Sequence, residues 1–162
     1  MRRLLLILVL ACIGLGAKAQ VRSVGLTLGS YEAVSFQHWV YGTDNVFQLE
    51  FGYHTGLPSA GAWKLMGTYN IMLLSPDIPI EGEWNFYAGP GGYLGAGWAP
   101  GKGLTFGVMG IVGLEYLFDD LPLQLSVDMR PAIGVVLTNE RYVYDKDTFL
   151  GFVPSVSARY IF

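Results

Sequence analysis

The stretch that decides the fold is residues 121–138, which read LPLQLSVDMRPAIGVVLT. Apolar side chains occupy the odd positions from Leu121 to Leu137, whereas the even positions are mostly polar or small. An alternation with a period of two is typical of a β-strand, because successive side chains of a strand point to opposite faces. A shift of one residue would exchange the two faces, so the register of this strand is strongly specified.

The same alternation continues on both sides of this stretch. It predicts further strands at about 22–29, 32–40, 45–54, 62–73, 83–97 and 104–118, and a last one at 150–162. Between them lie clusters of glycine, proline, aspartate and asparagine, which are residues that favour turns. We therefore expect a single all-β domain of eight antiparallel strands, with ten strands as the alternative.

Side-chain volume on the two faces distinguishes between the possible architectures. A soluble sandwich or lipocalin-like barrel turns its apolar face inward, whereas a membrane barrel turns that face toward lipid. Small or uncharged polar residues fill the opposite face, where a water-exposed strand would carry lysine and glutamate. They include Gly25, Thr27, Ser35, Gln37, Gly89, Gly91, Gly95, Gly107, Ser126, Gly134, Ser155 and Ser157. Because an eight-stranded barrel has a narrow interior, we predict a transmembrane eight-stranded antiparallel up-and-down β-barrel.

The N-terminus has the three parts of a secretory signal peptide. Arg2 and Arg3 are followed by an apolar run from Leu4 to Leu15 and by the small-residue site Ala17-Lys18-Ala19. The run is shorter than the ~20 residues of a membrane-spanning helix. We predict a cleaved signal peptide helix over residues 1–19 and a barrel domain over 20–162. An uncleaved anchor and a lipoprotein-type site at Cys12 are the alternatives.

Composition and charge exclude several classes of protein. The chain has 162 residues, of which 52% are hydrophobic and 14% charged, against roughly 25% charged residues in an average soluble domain. It is too apolar to be disordered. Without residues 1–19 it keeps 7 basic and 13 acidic residues, a net charge of −6, and no cysteine. We therefore expect no nucleic-acid partner and no disulfide.

Aromatic residues gather near the predicted strand ends, as in the two aromatic belts of a membrane barrel. If the chain runs up and down, one group shares the end of the barrel with the chain termini and the other lies at the opposite end. The first group is Trp39, Tyr41, Phe47, Trp84, Phe118 and Phe162, and the second is Tyr53, Trp63, Trp98, Tyr142 and Tyr144.

The C-terminal residues Ser157–Phe162 alternate and end in an aromatic residue, and residues 113–118 with 122–131 read as paired late strands. Residues 20–162 resemble the small bacterial outer-membrane β-barrels of the OmpX-like and OmpA-transmembrane-domain-like class, most specifically at the C-terminus. The resemblance implies location in the outer membrane and contact with its lipid. It also implies recognition by the barrel assembly machinery through the C-terminal strand, with Tyr160 and Phe162 as the assembly signal.

With an even number of strands, both termini face the periplasm and the periplasmic turns are short. This predicts periplasmic turns at 41–45, 74–82 and 119–121. The predicted outer loops are 29–32, 54–62, 98–103 and 138–148.

The alternation also turns several charged and polar side chains into the predicted lumen. They are Glu50, Lys64, Asn70, Glu115, Asp128, Arg130 and Arg159. Charges in a narrow lumen have to pair, because an isolated buried charge is costly. We predict a structural network that plugs the barrel, with Glu115 and Asp128 against Arg130 and Arg159, and Glu50 against Lys64. A path for protons or solutes is the functional alternative.

No catalytic arrangement is visible in the sequence. The chain has two histidines, His38 on an apolar strand face and His54 at a loop edge, and Ser155 and Ser157 have no histidine near them in sequence. We expect no metal site and no cofactor. The leading hypothesis is a non-enzymatic protein with a structural or surface-interaction role. The alternatives are a lipid-modifying outer-membrane enzyme that uses His54 or His38, and a narrow channel.

Overall fold

The computed structural model describes residues 22–29, 31–54, 62–76, 79, 81–97, 103–137, 142–144 and 154–162. The predicted signal peptide, Trp98 and most of the loop at 138–148 lie outside the described residues. The described strands are β1 (Arg22–Leu28), β2 (Glu32–Trp39), β3 (Val46–His54), β4 (Ala62–Leu74), β5 (Glu83–Gly97), β6 (Leu104–Leu117), β7 (Leu123–Met129), β8 (Ala132–Leu137), β9 (Tyr142–Tyr144) and β10 (Ser155–Ile161).

The strands close into a ring in which every pair is antiparallel. Strands β1 to β6 pair in chain order, β6 pairs with both β7 and β8, and β10 pairs with β7 and with β1. The short strand β9 continues the eighth position beside β8. The described residues thus form a closed eight-stranded up-and-down barrel, which confirms the predicted all-β fold and strand number. No described helix is long and apolar enough to span a membrane.

The predicted strand at 121–138 is divided at Arg130-Pro131 into β7 and β8. Opposite it, Met129 pairs with Val112 and Ala132 pairs with Met109, so the register along β6 is unchanged across the division. Proline has no N–H to give to the ladder, while the Pro131 carbonyl still accepts a hydrogen bond of 2.8 Å from Gly110 N. The two segments therefore form one wall of the barrel.

The barrel exposes its large apolar side chains and buries its polar ones, the reverse of the usual distribution. Leu26, Val108 and Ile133 are 62%, 68% and 68% exposed on the outer face. Inside, the side chains that are at most 2% exposed include Gln37, Gln48, Glu50, Glu115, Gln124, Asp128 and Arg159. The core of this fold is its lumen.

We use "terminal end" for the end of the barrel at which β1 begins and β10 finishes. Here the ring of Tyr116 packs between those of Trp84 and Phe118, with ring centroids 4.8 and 4.7 Å apart. Tyr116 Oη donates to the Glu81 carbonyl at 2.6 Å. At Gly82 the φ of +93° requires glycine, because L side chains rarely adopt it. These contacts hold the turn after β4 against the end of β6.

Candidate functional site: a polar network that fills the lumen

Arg130 is the centre of the lumen network. Its guanidinium binds the Asp128 carboxylate through Nε at 2.5 Å and Nη2 at 3.1 Å. It also binds the Glu50 carboxylate through Nη1 and, at 3.2 Å, through Nη2. Two-point contacts of this kind between a guanidinium and a carboxylate are among the strongest hydrogen-bonded ion pairs in proteins. Arg130 is 7% exposed and both acids are 2% exposed, so the cluster is shielded from water.

This geometry corrects the predicted pair of Glu50 with Lys64. Strands β3 and β7 hold the third and seventh positions of the eight-membered ring, so Arg130 reaches Glu50 from the opposite wall. Lys64 lies on the neighbouring strand opposite Gly52, one inward position further from the terminal end. Its Nζ donates to Tyr31 Oη at 2.5 Å and lies 4.4 Å from the ring centroids of Tyr31 and Tyr93.

Arg159 occupies the lumen beside the Arg130 cluster with weaker contacts. Its Nε donates to Ser35 Oγ at 2.9 Å and its Nη1 donates to Ser126 Oγ at 2.7 Å. Its Nη2 lies 3.6 Å from Glu50 Oε1, which is an ion-pair distance without a hydrogen bond. Arg159 is therefore held chiefly by hydroxyl groups, whereas Arg130 is held by carboxylates.

Glu115 was expected to pair with an arginine, but its carboxylate accepts hydrogen bonds from neutral amides. Gln124 Nε2 donates to it at 2.6 Å and Asn85 Nδ2 at 3.4 Å. Glu115 lies opposite Ser126 of β7, and the inward side chains that reach its carboxylate are the amides of Gln124 and Asn85. Asn70, also predicted to face inward, is 1% exposed and donates to Gln48 Oε1 at 2.9 Å.

A chain of neutral side chains connects the surroundings of Glu115 with the Arg130 cluster. From Gln124, Oε1 accepts from Ser23 Oγ at 3.3 Å, and the same hydroxyl lies 3.1 Å from Gln37 Oε1. From Gln37, Nε2 donates to Gln48 Oε1 at 2.9 Å, and Gln48 Nε2 donates to Glu50 Oε1 at 2.7 Å. Polar atoms within hydrogen-bond distance of one another thus connect Glu115 with the arginine cluster, and the single proton of Ser23 Oγ is available to either Gln37 or Gln124.

The amides of this chain were missed as network members when the sequence was considered alone, and so was Tyr87. Tyr87 is 1% exposed and its Oη donates to Asp128 Oδ2 at 3.1 Å. Their positions in the alternating pattern could have identified all of them, because each lies on the inward face between exposed apolar residues. Uncharged polar groups at inward positions thus belong to the network together with the charged ones.

Toward the end opposite the termini, the lumen contains an apolar cluster beside Lys64. Met66, Tyr93 and Met109 form a buried cluster against Ala132. The ring of Tyr93 extends over Gly134, which is also buried. A Cβ at Gly134 would overlap Tyr93 Oη and would lie 2.8 Å from Tyr93 Cζ and 2.6 Å from the Phe106 carbonyl oxygen. Gly134 therefore makes room for the tyrosine that fills this level of the lumen.

Replacing Gly134 with alanine is expected to lower the free energy of unfolding by about 1–3 kcal/mol, the usual cost of overpacking. The matched control is Gly67→Ala, because a Cβ at Gly67 meets its nearest side-chain atoms at 4.0 Å. Urea unfolding in detergent, followed by tryptophan fluorescence, measures both variants. Equal stability of the two alanine variants would show that Tyr93 does not fill the space above Gly134.

No catalytic or metal-binding arrangement emerges in the described part of the chain. His38 lies on the outer face of β2, directly opposite Arg22 of β1. Ser155 and Ser157 are buried in the lumen, where Ser157 Oγ is hydrogen-bonded to Thr27 at 2.9 Å. No three metal-ligating side chains come together among the described residues. The side chain of His54 is not among those that the structure describes.

Comparison with known proteins adds no relative from which a function could be transferred. A scan against protein-family models found no match, and searches of curated proteins and of solved structures found no significant match.

Proposed function

We propose that this chain is a bacterial outer-membrane β-barrel with a non-enzymatic structural or surface-interaction role and a lumen closed by its own side chains. The observation that carries the proposal is the inverted distribution of polarity around a closed ring of strands. Such a surface is stable where the surroundings are lipid, and all the backbone groups of a closed barrel are paired without a free sheet edge.

The height of the apolar surface supports a membrane environment. On β6 the outward positions from Leu104 to Leu114 are apolar or glycine over ten residue steps. At about 3.3 Å per residue and a strand tilt of about 40°, this run covers about 25 Å along the barrel axis, the height of the apolar band of outer-membrane barrels.

The packing of the lumen supports a closed barrel rather than a channel. Arg130 bridges opposite walls, and Arg159, Gln37, Gln48 and Gln124 around it are at most 2% exposed. Eight strands enclose only enough space for side chains. The positions of Tyr160 and Phe162 are consistent with the proposed assembly role, because both side chains point outward, are exposed and lie at the terminal end of β10.

Expression of the full chain in a Gram-negative host, followed by separation of the membranes, tests the proposal. We expect the protein in the outer-membrane fraction, with a mass that corresponds to residues 20–162. Its far-UV circular dichroism is expected to show β-structure in detergent micelles and to be lost in detergent-free buffer. A barrel that folds in buffer without detergent would contradict the proposal.

Two further measurements separate this role from the alternatives. Planar lipid bilayers that contain the purified barrel are expected to remain without single-channel conductance. Acyl release from lipid A or phospholipid is expected to stay at background in the wild type and in His38→Ala and His54→Ala alike. Stepwise conductance, or a release that depends on either histidine, would contradict the non-enzymatic, closed barrel.

A further inference from the structure

A row of outward side chains near the terminal end differs from the rest of the outer surface. The strand register and the backbone bonds between Arg22 and Phe162 place five residues side by side around β10, β1, β2, β3 and β4. In this order they are Phe162, Arg22, His38, Phe47 and Tyr69. We call them the basic row, because two nitrogen-bearing side chains stand between aromatic neighbours.

The adjacent row toward the middle of the barrel has no such groups. It contains Tyr160, Val24, Phe36 and Leu49, which are exposed outward residues in register with one another. On the other side of the basic row the chain enters the turn after β2. At Arg22 and His38 the basic row therefore lies at the edge of the apolar surface, the level of lipid headgroups in a membrane barrel, whereas on β4 the exposed apolar residues Ile71 and Leu73 continue beyond it.

The charge of Arg22 is unusual for its position. Of the four Lys and Arg residues in the described part of the chain, Lys64, Arg130 and Arg159 are buried in the lumen, and Arg22 alone lies on the outer face. Its Nε is buried, and the described residues offer it no hydrogen-bond partner. Because this nitrogen is buried, an external ligand would have to bind the accessible part of the Arg22 side chain, which is half-buried.

His38 lies directly across from Arg22 in the β1–β2 pair. Directly opposed residues of an antiparallel pair have their Cβ atoms about 4.5–5.5 Å apart, so one ligand can contact both side chains. The acids that the structure exposes at this end lie in turns beyond the row. They are Asp44, Glu81, Asp119 and Asp120, and one further exposed acid, Glu83, is the first residue of β5.

We propose that Arg22 and His38 bind the phosphate of a phospholipid headgroup at the terminal end. This inference rests on the membrane location proposed above. A phosphate offers several acceptor oxygens, which match the planar fork of donors of a guanidinium, and the imidazole supplies a further N–H. The acyl chains of the same lipid then lie along the apolar row of Val24 and Phe36, and Phe47 and Phe162 flank the headgroup.

The test uses the protein purified in dodecyl maltoside, a detergent without phosphate, and adds dihexanoyl phosphatidylglycerol as the probe. We expect the phospholipid to raise the Tm of the wild type by several degrees. In Arg22→Gln the apparent affinity is expected to fall about fivefold, the effect of one basic residue near an anionic lipid. His38→Gln is expected to weaken it less, and Arg22→Lys is expected to retain most of it.

Native mass spectrometry gives a second readout that does not depend on stability. One phosphatidylglycerol is expected to stay bound to the wild-type barrel and to dissociate from Arg22→Gln. Inorganic phosphate at the same concentration is the control that distinguishes binding of a lipid from binding of a free anion. We expect it to leave the Tm unchanged. A Tm increase with inorganic phosphate as large as that with the lipid would overturn the assignment to a lipid headgroup.

An equal lipid effect in the wild type and in Arg22→Gln would overturn the site itself. That result is distinguishable from failure of the proposed function, since both proteins would still fold only in detergent. A barrel that needs no detergent would instead contradict the membrane location on which the site depends.

Discussion

Replacing Arg130 with methionine is expected to lower the free energy of unfolding by about 3–5 kcal/mol, the usual cost of removing one partner from a buried ion pair. The substitution leaves the carboxylates of Glu50 and Asp128 inside the lumen without the cation that both contact. Thermal and urea unfolding of the purified barrel in detergent measure the loss.

Arg159→Met is the matched control for this prediction. It removes the same group from the same lumen, but Arg159 is held mainly by Ser35 and Ser126 and only approaches Glu50. We expect a smaller loss than for Arg130→Met. Adding Glu50→Gln and Asp128→Asn to Arg130→Met is expected to restore part of the stability, because the unpaired charges are then gone. Equal losses in the two methionine variants would contradict the central role of Arg130.

Replacing Val108 with arginine is expected to cost about 2–4 kcal/mol of folding free energy in lipid bilayers, the value for a cation on the lipid face of a barrel near the bilayer midplane. Val108 is 68% exposed, lies on the outer face of β6 and pairs with the equally exposed Ile133. On a water-exposed surface the same substitution would change stability by only about ±0.5 kcal/mol. Equilibrium refolding into short-chain lipid vesicles measures the difference.

Tyr41→Arg provides the control at the proposed membrane boundary. Tyr41 is 86% exposed in the turn between β2 and β3, and a cation near the interface costs only about 0–1 kcal/mol. The expected result is a clear gap between the two arginine variants. If Val108→Arg is tolerated in lipid as well as Tyr41→Arg, the outer face of β6 does not contact the hydrocarbon.

Local alternation was sufficient to predict the strands. The predicted segments at 62–73, 83–97 and 104–118 agree with β4, β5 and β6 to within a residue at each end. The period-two pattern works well here because each strand has one uniformly apolar face. The interruption at Pro131 was not predicted, because a single missing N–H breaks the hydrogen-bond ladder without altering the alternation of side chains.

The contents of the lumen were predictable as a set. Glu50, Lys64, Glu115, Asp128, Arg130 and Arg159 all lie inside and are at most 8% exposed. Of the predicted pairs, that of Asp128 with Arg130 is present in the structure, but the partners of Glu50, Lys64 and Glu115 differ from the prediction. The contact between Arg130 and Glu50 joins residues that are 80 positions apart and on opposite walls, whereas sequence reasoning compared neighbouring strands.

The sequence by itself thus determined which residues form strands and which face each side chain takes. It also determined that the face with small and polar side chains is the one that fits a narrow barrel interior. These properties follow from the two-residue period and from side-chain volume, both of which are local. Only the tertiary structure decided which inward groups meet. Closure of the ring brings β3 and β7 face to face and β1 beside β10, and the lengths of the inward side chains then determine the contacts. The Arg130 cluster in the lumen is a product of that closure, and the pair of Arg22 with His38 on the outer face is a product of the register between β1 and β2.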